Sequence, residues 1–460
     1  MRKLLPLLFL AFLASCISDD KDDKKDDTVA QQQPPKAPAV KPGTITDLSV
    51  RSQPANSFSV YLPSDFSYDK QWPVVIFFDA HGDGHEPLDK YKSIADELGF
   101  IFVASNSSRN GIQMGEAASI GNGLIDEVKS LYPCADNEII LCGFSGGARV
   151  VSMLGGSPSD LKAIICNSAA PAAPFRDKIF VGLAGLGDMN YLEMKKFNDS
   201  YPANANPHEL LVFDGKHEWA PVSVMRTALL ITNCYKKDKS IHPVDSTNAM
   251  NALSEALISQ SDSMKSMSCL LAKNLLETGT HIVTSSPGKE NISKKFAAIS
   301  KDPCVRSDET GWKNAEAEET VLQQELGEAV RDKDTTWWRA NADSYFETKS
   351  TGAEKFMRQR LRGYTSLMLY TYSNQAMKVS NLHAAESLIT IYSIVDPENS
   401  EWAYMKAALY MSLGLDKYVV PNLEKAIDLG FNDRLRLQND PVFNYLHSDP
   451  GFNGLFARMK

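Results

Sequence analysis

The chain lacks three things that would narrow its chemistry at once: an excess of positive charge, a closely spaced pair of cysteines, and an N-terminal apolar run long enough to anchor it across a bilayer. Its 48 Lys and Arg stand against 57 Asp and Glu, a net charge of −9, which argues against the basic face that a nucleic-acid binder needs. The seven cysteines include no CxxC motif, so neither a zinc site nor a redox motif is indicated. The apolar run at residues 4–13 falls short of the roughly 20 residues of a spanning helix. What remains is a chain of 460 residues, 43% hydrophobic, long enough for two or three domains with cores of their own.

The N-terminus has a use for its short apolar run. Arg2 and Lys3 precede it, and Leu13-Ala14-Ser15-Cys16 ends it. This reads as a secretory signal at residues 1–15. It resembles the lipobox of bacterial lipoproteins, in which the cysteine, here Cys16, is acylated after cleavage. Several acyl chains hold a protein firmly where one is marginal. The tether, residues 16–43, begins with the dense charge of residues 18–27 and continues through Pro34, Pro35, Pro38 and Pro42. Such a segment stays solvated and extended, at about 3 Å per residue. It is similar to the acidic tethers that send some lipoproteins to the outer cell surface. The expected place is therefore the cell envelope, lipid-anchored at the outer membrane and exposed at the surface. Of the remaining cysteines, Cys142 and Cys166 sit in apolar runs as buried thiols, and Cys269 with Cys304 is the pair to test for a disulfide, which export permits.

Residues 44–234 alternate short apolar runs with helical patterns. Strands are expected at residues 58–62 (an edge strand), 74–78, 100–104, 138–142, 161–166, 179–183 and 210–213, with helices at 90–98 and 120–131. Continuous apolar runs mark strands buried on both faces, and the alternation implies a mainly parallel, doubly wound α/β sheet. Ligands of such sheets bind beyond the carboxyl ends of the strands. The residues there are informative. After Cys142 comes Gly143-Phe144-Ser145-Gly146-Gly147, a G-x-S-x-G pentad between a strand and a helix. It is the pattern of a serine exposed on a strained strand-to-helix turn. The loop after residue 183 delivers Asp188, and the loop after residue 213 delivers His217. His217 would take and return the Ser145 proton, and Asp188 would hold the imidazole tautomer. Asp214 is the other candidate for the acid.

The order Ser145, Asp188, His217, together with His81-Gly82 in the loop after the run 74–78, resembles the α/β-hydrolase superfamily, nearest to single-domain esterases and related serine peptidases. The resemblance implies an α/β-hydrolase fold and an oxyanion hole built from the backbone amide of Gly146 and that of Gly82 or Asp83. It implies no cofactor. One departure concerns the lid: the chain passes from Cys166 to Phe180 too quickly for a cap domain. The site should be open or covered by another part of the chain. A competing reading takes Asp79, His81, Asp83 and His85 as metal ligands. Their Gly-interrupted loop in the oxyanion position, and the lack of a second ligand cluster, favour a metal-free site.

After Cys234 helical spacing dominates. Helices are expected at residues 249–276, 318–329, 357–377, 384–395, 401–413 and 417–429, with a polar loop and a short helix between residues 285 and 303. Ile389, Tyr392, Val395 and Asp396 correspond to Leu423, Ala426, Leu429 and Gly430 at a spacing of 34 residues. That is the tetratricopeptide period, and residues 353–460 resemble a short tetratricopeptide-like array with a C-terminal cap. Residues 235–352, a separate helical region, are expected to pack on the hydrolase domain, and the array to bind a protein partner or to self-associate. The function expected is a surface-tethered serine hydrolase, a carboxylesterase with a small-molecule ester as substrate and peptide bonds as the second choice. The alternative is a partner-binding lipoprotein with vestigial catalysis.

Overall fold

The computed structural model describes residues 39–459, apart from 157–159, 203–205, 238–240, 244–245, 286 and 348. The signal, Cys16 and most of the tether lie outside the described residues. The α/β part begins with the strands β1 (Ile45–Val50), β2 (Gln53–Tyr61) and β3 (Trp72–Phe78). It continues through α1 (His85–Leu98), β4 (Ile101–Ser105), α2 (Met114–Leu131), β5 (Cys134–Phe144), α3 (Gly146–Gly155), β6 (Leu161–Asn167) and β7 (Ile179–Gly185). The last elements are α4 (Tyr191–Asp199), β8 (His208–Phe213) and α5 (Val222–Asn233). The eight strands form one sheet in the order β1-β2-β4-β3-β5-β6-β7-β8. β2 runs antiparallel to β1 and β4, and every pair from β4 onward is parallel. With helices between the strands, this is the α/β-hydrolase fold.

The continuous apolar runs are the buried strands. Residues 74–78 of β3 and every residue of β6 and β7 are buried. The expected edge strand, residues 58–62, is internal instead, because β1 pairs outside it and takes the edge. β1 alternates exposed and half-covered positions, with only Val50 buried, and so lacks the apolar run that marks the others.

A short hairpin, β9 (Tyr235–Lys237) and β10 (Ile241–Pro243), leads into the helices. These are α6 (Thr247–Met264), α7 (Cys269–Ile282), α8 (Pro287–Ile299), α9 (Pro303–Asp332), α10 (Thr335–Phe346), α11 (Gly352–Lys378), α12 (Leu382–Val395), α13 (Ser400–Ser412), α14 (Val419–Asp428), α15 (Arg434–Asn439) and α16 (Pro450–Leu455). The expected single helix over residues 249–276 is two. Ser268 breaks it: its hydroxyl caps α7 by accepting the Leu271 amide, and donates to Asp308 of α9. The polar stretch after residue 285 is mostly helix, α8, pinned by buried Ile292 and Ile299. α10 was not foreseen; Asp334 caps it, and Trp338, Ala342 and Phe346 bury one face at a spacing of four. α12 and α14, which carry the 34-residue correspondence, each pack on the helix before them. From Val40 on, the chain is one compact unit.

Cys269 and Cys304 are disulfide-bonded across 35 residues, tying the first turns of α7 and α9. Closing a loop of that length removes entropy worth about 3–4 kcal/mol from the unfolded chain. Replacing both cysteines by serine is expected to lower the thermal unfolding temperature, and dithiothreitol to do so in the wild type but not in the double variant. Identical melting of all four samples would remove the stabilising role.

Candidate active site

β5 runs straight into the turn that carries Ser145. The serine has φ 53° and ψ −114°, a region costly for a residue with a side chain, by about 1–3 kcal/mol. Two glycines make the turn feasible. A Cβ on Gly147 would lie 1.8 Å from the Phe78 carbonyl oxygen, and one on Gly143 would lie 2.3 Å from the Gly147 oxygen. The pentad spacing is thus a packing requirement of β3, β5 and α3 at their closest approach. The Ser145 amide donates to the Asn167 carbonyl at 2.9 Å, which fixes the turn against β6.

Asp188 and His217 arrive from the ends of β7 and β8. Their loops are stitched together by backbone bonds from Leu186 N–H to Phe213 O (2.8 Å) and from Gly187 N–H to Gly215 O (2.9 Å). The His217 Nδ1 lies 3.0 Å from Asp188 Oδ1, and its Nε2 lies 2.9 Å from Ser145 Oγ. With the proton on Nδ1, that N–H donates to the carboxylate and Nε2 accepts the serine hydroxyl. Asp188 is fully buried, and its Oδ1 also accepts the Asn190 amide at 2.8 Å. Asp188 Oδ2 has no partner among the described residues. Asp214 is exposed, and His217 turns to Asp188 instead. The His217 ring leans on Phe144, with centroids 5.0 Å apart.

The oxyanion loop departs from expectation. The Gly82 amide closes a turn on Asp79 O at 3.4 Å, and the Asp83 carboxylate accepts the His85 and Glu86 amides at the start of α1. Neither residue lines the cleft at Ser145; Ala80 and His81 do. The His81 amide is engaged by Asp79 Oδ1 at 2.7 Å. Outside the regular helices and strands, no backbone acceptor takes the Ala80 amide. Of the loop residues Ala80, Gly82 and Asp83, only Ala80 lines the cleft. Gly146 opens α3, where an amide has no intrahelical acceptor. Asp79, buried despite its charge, accepts the Trp219 indole N–H at 2.9 Å. Burial opposes its charge, but hydrogen bonds from His81 and Trp219 hold its carboxyl below the ordinary value. The four alternating residues do not converge: His85 Nε2 turns away to Asp47 Oδ1 at 2.9 Å, while Asp79 and His81 draw near Glu86.

A comparison with protein-family models gives no match, and one with curated proteins gives none either. Among solved structures, about 40% of the chain is similar to esterases and serine hydrolases. An S-formylglutathione hydrolase from Staphylococcus aureus is 14% identical, with 41% of this chain and 98% of that chain covered and a TM-score of 0.35. The feruloyl esterase module from Clostridium thermocellum gives 14%, 41%, 86% and 0.34 in the same order. Esterase 2 of Thermogutta terrifontis gives 13%, 39%, 87% and 0.32.

The cleft over Ser145 measures about 1440 Å³ and has two walls. One is the α/β face, with Arg109, Asn110, Asn190 and Lys216 around the three residues. The other is helical: Gln359, Arg362, Ser366, Leu367 and Tyr370 come from α11, and Tyr392 and Asp396 from α12 and its end. Sequence reasoning did not find these residues. It expected residues 235–352 to pack on the α/β part, and they do: Gln260 of α6 donates to Ser223 O and Thr227 Oγ1 of α5, and Lys195 of α4 pairs with Glu316 of α9 at 2.6 Å. The helices beyond residue 353 reach the same part of the chain, however, and face the serine. No pattern within α11 distinguishes a cleft-facing polar residue from a solvated one.

Proposed function

We propose that the chain is a serine hydrolase that cleaves carboxylic esters through an acyl-enzyme on Ser145, with peptide bonds as lesser substrates. The observation that carries this reading is the unbroken run Asp188–His217–Ser145, each contact at hydrogen-bond distance, on a serine held at φ 53°. His217 Nε2 takes the hydroxyl proton as Oγ attacks the ester carbonyl. Asp188 stabilises the imidazolium, which then protonates the leaving alcohol. The amides of Gly146 and Ala80 receive the oxyanion; one such donor contributes about 3 kcal/mol of transition-state stabilisation. A water activated by His217 releases the acid.

The helical half supplies the second wall that a missing cap would otherwise provide, and we read α11–α14 as two tetratricopeptide-like hairpins. Lipidation at Cys16 would place this cleft at the cell envelope on a solvated tether. A fluorophosphonate probe tests the core of the reading. Wild-type protein is expected to label covalently at Ser145, and Ser145→Ala to stay unlabelled. A wild type that does not react would instead favour a binding protein with vestigial catalysis.

A further inference from the structure

The helical half contributes more than a wall. Arg360 on α11 is fully buried, and so is the Glu319 side chain on α9. Arg360 donates from Nε and Nη2 to Glu319 Oε2 at 2.9 and 2.6 Å. Its remaining arm, Nη1, crosses to the hydrolase domain and donates to the Leu186 carbonyl oxygen at 2.7 Å. Leu186 stands two residues before Asp188. The guanidinium also lies over the ring of Tyr191, 4.8 Å from its centroid, at the start of the helix that follows Asp188. Next to Arg360, Gln359 fills the space over Gly187, where a Cβ would come within 2.4 Å of its Oε1. The acid loop is thus held on two sides. Its amides bind the histidine loop at Phe213 O and Gly215 O, and its Leu186 carbonyl binds α11.

Burying an ion pair is costly, and a well-packed apolar pair of similar volume often serves stability as well or better. What an apolar pair cannot do is donate to a carbonyl of the neighbouring domain. We propose that Arg360, held in place by Glu319, is a positioning residue for the triad: it fixes the segment from Leu186 to Asp188, and through it the Asp188–His217 contact. The proposal rests on the reading of Ser145, Asp188 and His217 as the reacting set. The helical half is then part of the catalytic geometry of this chain, whatever else its array binds.

Two variants test it on the full chain. Glu319→Leu with Arg360→Met removes both charges together and leaves neither buried alone. Arg360→Lys keeps the charge beside Glu319 but replaces the planar fork with a single ammonium, which cannot reproduce its two-way geometry. Both are expected to melt near the wild-type temperature. Both should lower kcat on an aryl ester by about tenfold or more, with KM unchanged within twofold, as misplacement of a catalytic group by a fraction of an ångström to 1 Å does. Both should also weaken the low-field proton resonance of the His217 Nδ1–H bonded to Asp188, a signal that a purely structural pair would not control. Should the double variant fail to fold, the Lys variant decides alone. Wild-type kcat and an unaltered resonance in a folded variant overturn the proposal. Failure of the wild type to react with the fluorophosphonate overturns the serine-hydrolase reading instead, so the two failures are distinct.

Discussion

Ser145→Ala is expected to reduce hydrolysis of short-chain aryl esters by about 10⁵-fold or more, and His217→Ala to fall to the same floor. The magnitude follows from how the two atoms are used. Ser145 Oγ is the only nucleophile offered at the turn, and His217 Nε2, 2.9 Å away, is placed both to accept its proton and to return it. Removing either ends the same step, so the Ser145→Ala, His217→Ala double variant should be no slower than the slower single one. Rates for the two singles and the double, with active-site titration to exclude contaminating wild type, give the comparison. A Ser145→Ala protein that retains a tenth of the wild-type rate would place the nucleophile elsewhere. Strictly additive losses would show that the two residues do not act as a unit.

Much of this site was legible in the sequence because an α/β sheet reports itself. The buried strands β3 and β7 are apolar throughout and β6 is so over residues 163–166, so their ends can be placed within a residue or two, and loops at strand ends are where polar chemistry collects. That logic led to Ser145, Asp188 and His217, which the structure brings together. It did not resolve the oxyanion loop. The choice among Ala80, Gly82 and Asp83 depends on which amide is already spent inside the loop. The Gly82 amide closes on the Asp79 carbonyl, and of the three residues only Ala80 lines the cleft. Nor did it reach the helical half. The apolar spacing of α6 runs on into α7 without a gap, so only the capping by Ser268 separates them. Arg360 reads as an ordinary charged helix position. Its burial depends on Glu319 in one helix and a carbonyl in another domain, partners that no local pattern names. Periodicity tells which face of an element is apolar, but not which distant element will cover a polar one.

Asp188→Asn is expected to cost about 10⁴ in kcat, and Asp214→Asn to change it less than twofold. Both aspartates follow a strand, but Asp214 is close to His217 in the sequence while Asp188 is 29 residues away, so the contrast isolates geometry from proximity. Asp188 is buried and lies 3.0 Å from Nδ1; Asp214 points to solvent. The carboxylate can only accept from Nδ1–H, which forces the lone pair onto Nε2 where Ser145 needs it. A carboxamide at position 188 can turn its NH₂ toward Nδ1 and so favour the opposite tautomer, with Nε2 protonated and unable to serve as a base. The fold should survive, because Asn is nearly isosteric, even though the Asn190 amide shares Oδ1 with His217 Nδ1 and loses that acceptor when the NH₂ faces the ring. The loss should therefore appear in kcat with the melting temperature little changed. Fluorophosphonate labelling should slow in parallel, since it uses the same activated hydroxyl. If Asp214→Asn were the slower enzyme, the acid would belong to the histidine loop itself, and the link from Arg360 through Leu186 to the triad would lose its target while Ser145 and His217 kept theirs.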